Sequence, residues 1–194
     1  MRTIRGNGTI AFPVVLYGNR SFDDALAELR DLCEEQGFRC GGAAAFVGEH
    51  AFSTVLAQGR PDKEDLEEAC RFARKAADAV IHGDIKEHLE VPGNSPSPGY
   101  YKPKGADGEP IDIRKVKPEV GETCDDCGLC VSLCPMGSIA EDDGKECRGI
   151  CIKCGACIKG CPKGARYYTD KNYLYHKSDL EHTWKRRAAV GMWF

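Results

Sequence analysis

The segment CDDCGLCVSLCP at residues 124–135, the first cysteine segment, decides the fold of this chain. It returns as CIKCGACIKGCP at residues 151–162, the second cysteine segment. Both have the spacing C-x2-C-x2-C-x3-C-P, and each cysteine of the second lies 27 residues after its counterpart (124 to 151). Three cysteines at such short gaps curl the backbone around one face of a [4Fe-4S] cubane and supply three thiolates. The sequence therefore predicts one supersecondary unit used twice, as a pseudo-twofold module with two [4Fe-4S] clusters.

The fourth cysteine of each segment completes two crossed ligand sets. It lies on the next helical turn, too far round to bind the cluster of its own segment, so it is expected to bind the other one. The first cluster would be held by Cys124, Cys127, Cys130 and Cys161, and the second by Cys151, Cys154, Cys157 and Cys134. Gly128 and Gly155 are expected to let the backbone approach the inorganic sulfur closely. No catalytic residue is assigned, because thiolate ligands tune a potential and perform no acid–base chemistry.

Zinc sites and disulfides are the alternative uses of crowded cysteines. Nine of the twelve cysteines lie between Cys124 and Cys161. Structural zinc sites pair C-x2-C units across longer gaps and lack a third cysteine at the same spacing before x3-C-P. A secreted disulfide scaffold spreads its cysteines along the chain and usually follows a leader, whereas MRTIRGNGTI has no apolar core. The pattern favours cluster ligands in a cytoplasmic protein, and no apolar run is long enough to span a membrane.

Other residues near the cysteine segments have weaker signals. Cys147 could be a spare ligand, but a free thiol in the connecting loop is the favoured interpretation. Lys153, Lys159, Lys163 and Arg166 lie within or just after the second segment. Because an all-thiolate cluster is net negative, these cations would raise its potential and could steer an acidic partner. An ordinary solvated face is the alternative.

The first 91 residues alternate strands with amphipathic helices, which implies parallel pairing in an α/β layer. In order, the prediction is a strand over residues 13–17, a helix over 21–37, a strand over 43–47 and a helix after Asp62. Ser21 with Asp24 forms the capping-box pattern of the first helix, and Asp62 with Asp65 that of the second. Gly37 is the predicted C-terminal stop of the first helix. The apolar stripe of the second helix is Leu66, Ala69, Ala73, Ala76, Ala77 and Val80.

The predicted organisation is α+β overall, in four parts. Residues 1–91 form a partial α/β domain, 92–119 a linker rich in Pro and Gly, 120–170 the two-cluster module, and 171–194 a C-terminal helical extension with its helix over 172–190. A formal net charge of −3, with no strongly basic half, excludes a nucleic-acid binder.

Residues 120–167 resemble the bacterial two-[4Fe-4S] ferredoxins. The resemblance rests on the two cysteine segments and on Gly137 and Gly164, which follow each proline-containing turn. It implies low-potential electron transfer through both clusters to or from redox partner proteins. This makes the chain an electron-transfer protein rather than a stand-alone catalyst.

Residues 1–91 resemble the C-terminal half of a flavodoxin-like domain, on PVVLYGNRSFDDAL (13–26), AAAFVGEHAFS (43–53) and the helix after Pro61. With the linker and cysteine segments behind it, the order is similar to flavodoxin–ferredoxin fusion proteins of anaerobes. In that family the loop after the fourth strand lies against the FMN isoalloxazine. Mapped onto this sequence, that loop is Tyr17, Gly18, Asn19 and Arg20, continuing to Phe22.

The chain departs from that family at its start. It lacks the Ser/Thr-Gly-rich loop that holds the FMN phosphate at a helix N-terminus, since Gly6 and Gly8 precede a strand. About three strands of the sheet are absent, which leaves a sheet edge and helix flanks open. Another chain supplies the missing half, or the sheet completes itself by self-association, or the chain is a shortened product. The chain alone is not expected to bind FMN stably.

Three functions follow as hypotheses. The leading one is a ferredoxin-type electron carrier or module. The second is a flavin-dependent oxidoreductase fusion that passes electrons between FMN and the clusters. The third is a structural or redox-sensing module whose clusters brace the fold.

Overall fold

The architecture comes from a computed structural model, which describes residues 4–194. In chain order, the elements are β1 (Ile10–Ala11), β2 (Val14–Tyr17), α1 (Ala25–Glu35), β3 (Arg39–Cys40), β4 (Ala43–Val47), α2 (Lys63–His82), β5 (Glu119–Val120), α3 (Leu129–Leu133), α4 (Ala156–Lys159), β6 (Arg166–Tyr167), α5 (Lys171–Thr183) and β7 (Gly191–Trp193). This mixture of helices with parallel and antiparallel strands agrees with the α+β prediction.

The chain forms two units. The N-terminal unit contains residues 4–50, 56–101 and 186–194, and the cysteine unit contains residues 51–55 and 102–185. These limits do not coincide with the four predicted parts, which stay a prediction. Within residues 4–194, no helix combines the length and the apolar character that crossing a bilayer requires.

Parallel strands β2 and β4 form the centre of the N-terminal unit. Val14 lies opposite Ala44, and α1 lies in the long crossover connection that parallel strands require. The other edge of β4 pairs antiparallel with β7, where Ala43 lies opposite Trp193. The parallel pair matches the prediction, whereas β7 lies at the end of the stretch predicted as a helical extension.

The predicted capping box at the start of α1 is wrong. The Oγ of Ser21 accepts a hydrogen bond from the backbone N–H of Asp23 at 2.9 Å and closes a local turn. The helix begins after Asp24, whose side chain makes no capping hydrogen bond. Its carboxylate accepts instead from the N–H of Asn94 at 2.8 Å and from the hydroxyl of Ser97 at 2.9 Å. Both partners lie far along the chain, so the local pattern gave no sign of them.

Two other local signals are confirmed. Asp62 and Asp65 exchange side chain–backbone hydrogen bonds at 3.0 and 3.1 Å, which is the predicted capping box of α2. Gly37 follows the end of α1 with a φ of 82°. This left-handed conformation is open to glycine at little cost and commonly ends a helix.

Helix α2 buries a different face from the predicted stripe. Leu66 is 56% exposed, whereas Phe72 is only 8% exposed. The ring of Phe72 lies between 5.4 and 6.2 Å from the rings of Phe12, Phe46 and Phe194, at angles typical of aromatic packing. The largest apolar side chain of the helix therefore faces the sheet and Ala79 is also buried, whereas Leu66 and Val80 of the predicted stripe are exposed.

The N-terminal unit has a small core and an open sheet edge. Its buried cluster consists of Leu26, Cys33, Cys40, Ala43 and Leu89. Strand β2 stands at the edge of the order β2-β4-β7. Leu16 on that strand is 76% exposed.

The cysteine unit is built from short elements. Strands β5 and β6 pair antiparallel, with Glu119 opposite Tyr167. The carboxylate of Asp170 caps α5 by accepting from the N–H of Tyr173 at 2.8 Å. The helix ends at Thr183, earlier than the predicted helix over residues 172–190. The apolar core of the unit is Ile113, Tyr168 and Tyr173.

Candidate functional site

The two cysteine segments have the same local backbone. Gly128 and Gly155 precede α3 and α4 with φ values of 73° and 75°. Asp126 and Lys153, which precede the second cysteine of each segment, have φ values of 57° and 58°. Such positive values cost a non-glycine residue energy, so their recurrence at matched positions shows that both segments follow one turn. Each turn places three cysteines of its segment around a cavity.

The first cavity has a volume of about 340 Å³ and is lined by Cys124, Cys127, Cys130 and Cys161. Three of these thiols come from the first segment and one from the second. The charged side chains in its lining are Asp125, Asp126, Glu141, Asp142, Asp143, Lys145, Lys163 and Arg166. The structure thus brings together the four residues that the spacing assigns to one cluster.

The second cavity is narrower, at about 20 Å³, and is lined by Cys134, Cys151, Cys154 and Cys157. Here three thiols come from the second segment and one from the first. Its other lining side chains include Met136, Ile139, Ile150, Ile152, Lys153 and Tyr168. Each cavity therefore has three thiols of one segment and one of the other, but the surroundings are acidic at the first and mostly apolar at the second.

Backbone N–H groups stabilise the thiolate form of Cys134 and Cys161, which are the fourth cysteines of the two segments. The Sγ of Cys161 accepts from the N–H of Ala165 at 3.3 Å, and this bond lowers the pKa of the thiol. Burial would raise the pKa of Cys134, but backbone N–H groups, led by that of Ser138, lower it overall. Burial raises the pKa of Cys157 to about 11. A metal-bound thiol is deprotonated outright. The lowered pKa values of Cys161 and Cys134 therefore favour metal binding at these two cysteines.

Tyr168 is a residue that the sequence did not single out. Its hydroxyl lies 3.7 Å from the Sγ of Cys151, and its ring lies 4.0 Å from that of Tyr173. Burial raises the pKa of Tyr168 far above its ordinary value, so it stays a neutral hydrogen-bond donor. The available signal was an aromatic pair, Tyr167 and Tyr168, shortly after the second segment.

Cys147 lies closer to the site than a loop thiol would suggest. It lines the second cavity and forms an isolated antiparallel bridge with Ile139. Its carbonyl accepts from the Nζ of Lys117 at 2.7 Å, and burial raises the pKa of its thiol. The cavity therefore has a fifth cysteine in its lining, beyond the four that the spacing assigns.

The predicted FMN loop lies in the N-terminal unit and contacts the C-terminal segment of the chain. Asn19 is 2% exposed, and its amide donates to the carbonyl of Arg186 at 2.7 Å. The hydroxyl of Tyr17 donates to the carbonyl of Ala189 at 3.2 Å. The guanidinium of Arg20 lies 4.0 Å from the ring centre of Tyr101.

The remaining two residues of that loop are also in contact with neighbours. The ring of Phe22 lies 5.3 Å from that of Tyr17. A side chain at Gly18 would come within 2.7 Å of His50. The five residues of the predicted FMN loop are therefore in contact with one another or with residues elsewhere in the N-terminal unit.

The cysteines are not arranged for a single ion. Within residues 4–194, no three histidine, cysteine or acidic side chains converge on a point that would suit one metal ion. A zinc–sulfur bond is about 2.3 Å long, so four thiols around one zinc would leave no cavity of this size. The first cavity, which four of the thiols help to line, instead has a volume of about 340 Å³ and fits a multinuclear group. The second cavity, at about 20 Å³, matches the first in its four thiols and not in its volume.

Comparisons with known proteins agree with this geometry. A family model described as a 4Fe-4S binding domain matches residues 121–137, and a second model with the same description matches residues 151–165. A comparison with curated proteins found no match. The matched stretches include both cysteine segments, so the chain carries an iron–sulfur, ferredoxin-like module. Its general function is iron–sulfur electron transfer.

Proposed function

We propose that this chain is a low-potential electron carrier, or electron-transfer module, that works through two [4Fe-4S] clusters. The observation that carries the proposal is the first cavity, where three thiols of one segment meet a fourth from the other. A [4Fe-4S] cluster supplies reversible one-electron chemistry when bound. The partner would be another redox protein, and the reducing cytoplasm would keep the thiols free to bind iron.

The ligand sets of the proposal are the two crossed ones. Cys124, Cys127, Cys130 and Cys161 would hold one cluster, and Cys151, Cys154, Cys157 and Cys134 the other. The protein's own contribution is to present thiolates, to direct backbone N–H groups at sulfur and to keep water from the apolar side. The matched φ values of the two segments support a pseudo-twofold arrangement.

The test is metal analysis of the chain purified without oxygen. We expect about eight iron and eight sulfide per chain, which is two cubanes. Cys127→Ser should lose iron from one cluster, whereas Cys70→Ser, at an exposed cysteine on α2, should lose none. Bound zinc without sulfide would overturn the proposal.

A flavin-dependent fusion is the second candidate. It is supported by the resemblance of the FMN loop (Tyr17, Gly18, Asn19, Arg20 and Phe22) and by the open edge of β2, where a further strand could pair. A second chain, or a second copy of this one, would complete the sheet there. The contacts of Asn19 with residues 186–188 argue that this chain alone does not bind FMN.

Flavin binding can be separated from cluster binding in one titration. Added FMN should keep its free fluorescence with the purified chain. Quenching with a dissociation constant below about 1 μM would favour the fusion hypothesis over the simple carrier.

A structural or redox-sensing role is the third candidate. The short helices α3 and α4 bury no residue of their own, so clusters would brace them whatever else they do. Reversible, fast reduction at low potential favours the carrier. Clusters that decompose on reduction would favour the bracing role.

A further inference from the structure

One matched position of the two cysteine segments carries opposite charges. Asp126 occupies it in the first segment and Lys153 in the second. Both lie between the first two cysteines of their segment, with φ values of 57° and 58°. The two sites are therefore alike in backbone and differ in charge at this point.

Lys153 is a buried cation beside the second cavity. It is 6% exposed, and its Nζ donates to the carbonyl of Arg114 at 2.8 Å and to that of Cys151 at 3.1 Å. These two acceptors hold the ammonium group in place. Among the described residues that line this cavity, it is the one cationic side chain, and no carboxylate accompanies it.

Asp126 lies in acidic surroundings at the first cavity. Its Oδ1 is 3.6 Å from the Sγ of Cys124, and its Oδ2 is 3.1 Å from the Nζ of Lys145. The lining of this cavity has five carboxylates against three cations. Apart from the thiols, the first lining is thus net negative and the second net positive.

Tyr168 is a second group that favours negative charge at the second cavity relative to the first. Its hydroxyl lies 3.7 Å from the Sγ of Cys151, where a thiolate would accept a hydrogen bond from it. The residue at the matched position of the first half, 27 places earlier (168 to 141), is Glu141, which puts a carboxylate into the lining of the first cavity. A hydrogen-bond donor therefore stands at one site where an anion stands at the other.

Solvent exposure does not separate the two sites. Cys127 and Cys154, which are matched, are both exposed, and the other six proposed ligands are all partly buried. The fixed charges, the tyrosine and the apolar lining of the second cavity are therefore what distinguishes the sites.

We propose that an electron is held at the second site in preference to the first, because Lys153 and Tyr168 stabilise added negative charge there. This inference rests on the proposed function. A one-electron donor of low potential, such as dithionite, reduces the first site. The electron then passes to the second site, so that the first is oxidised again and the second is reduced. No bond is formed or broken, and no proton is required.

The apolar lining of the second cavity acts in the opposite direction, because a low dielectric disfavours added charge. The same low dielectric strengthens the attraction between that charge and a buried ammonium group. Water and salt screen the exposed carboxylates at the first site more than they screen Lys153. The buried cation is therefore expected to decide the order of the two potentials.

The test is a redox titration of the reconstituted full chain, followed by electron paramagnetic resonance. We expect two midpoint potentials. Lys153→Gln, which keeps a donor for one carbonyl, should lower the higher one. Asp126→Asn should raise the lower one. Each change should shift the ratio of the two reduced sites about tenfold, which is 59 mV for one electron.

Two further variants complete the test. Lys159→Gln removes the same charge from an exposed position of the second segment and should leave both potentials in place. Tyr168→Phe should lower the higher potential, and it remains informative if Lys153→Gln does not fold. Coincident midpoints, or a Lys153→Gln change confined to the lower midpoint, overturn the inference alone. Protein without iron and sulfide overturns the proposed function as well.

Discussion

The N-terminal unit and the two cysteine segments are held together in different ways. In the N-terminal unit, an aromatic group around Phe72, a buried cluster around Leu26 and a buried ion pair fix the chain. In the cysteine segments, α3 and α4 have no buried residue, and Ile158 of α4 is only partly buried against the apolar core of the cysteine unit. A region with little apolar burial must gain its stability elsewhere, and metal binding is a source of folding free energy. The two regions should therefore respond to different perturbations.

Removal of iron should have the largest effect, and it should lower hydrogen-exchange protection in the cysteine segments but not in the N-terminal unit. With a chelator and a mild oxidant, residues 124–162 should lose most of their protection from amide hydrogen exchange, because apolar burial there is limited to a few side chains such as Ile139 and Ala140. Strand β4, whose Ala43, Ala44 and Ala45 are fully buried, should keep its protection. Persistence of protection in both cysteine segments after iron loss would break the comparison.

The buried ion pair of the N-terminal unit should contribute to the free energy of unfolding of this unit whether or not iron is bound. Arg60 donates to the carboxylate of Asp65 and, at 2.7 Å, to the carbonyl of Ala188. Arg60→Met leaves a buried carboxylate, which costs about 3–5 kcal/mol. Arg187, at 3.6 Å from Asp65, should hold the loss to the lower end of that range. Urea unfolding of this unit measures it.

Arg60→Met should lower the free energy of unfolding by the same amount with and without iron. Arg71→Met, at an exposed pair on α2, is the matched control and should cost little. An Arg60→Met effect that disappears when iron is removed would contradict the separation of the two regions.

A smaller loss should follow from truncating the buried face of α2. Phe72→Ala removes a ring that packs on three others and should cost about 3 kcal/mol. Leu66→Ala, on the exposed face of the same helix, should cost less than about 0.5 kcal/mol. Equal losses in denaturant unfolding would mean that the sequence-based stripe was the buried one after all.

The smallest effect should come from the cap of α2, and it should depend on pH. The guanidinium of Arg187, with the N–H of Asp65, lowers the pKa of Asp62 in the folded chain. A lowered pKa means that the carboxylate stabilises the fold above its unfolded pKa of about 4 and loses this effect as the pH falls. Asp62→Ala should reduce Tm at pH 7 by less than Phe72→Ala does.

That reduction should shrink as the pH falls below about 4. Glu67→Ala, at an exposed position of the same helix, is the control and should show no such trend. A difference between Asp62→Ala and the parent chain that grows in acid would contradict the assigned direction of the shift.

Local signals in the sequence predicted local structure well. Strand β4 has the predicted limits, the Asp62–Asp65 capping box is present, and Gly37 ends α1. The spacing also predicted which thiols share a cavity, since each cavity is lined by three thiols of one segment and one of the other. Their roles as two sets of cluster ligands stay a prediction.

The failures have one physical cause, which is competition from distant groups. Asn94 and Ser97 engage Asp24 and remove it from the helix cap. The ring of Phe194 packs against Phe72, so α2 buries a face that the spacing of its apolar residues did not predict. At the site, the burial of Lys153 depends on the carbonyl of Arg114, and no spacing rule connects the two.

Strand β7 has a consequence for how the chain is made. It pairs with β4, yet residues 102–185 separate it in the amino-acid sequence from the rest of the N-terminal unit. On the ribosome, the second edge of β4 stays uncovered until the whole cysteine unit has been synthesised. All twelve cysteines are therefore synthesised before the last strand of this sheet is available. A chain that ends between residues 162 and 191 would expose an unpaired edge of β4, and an exposed strand edge promotes aggregation.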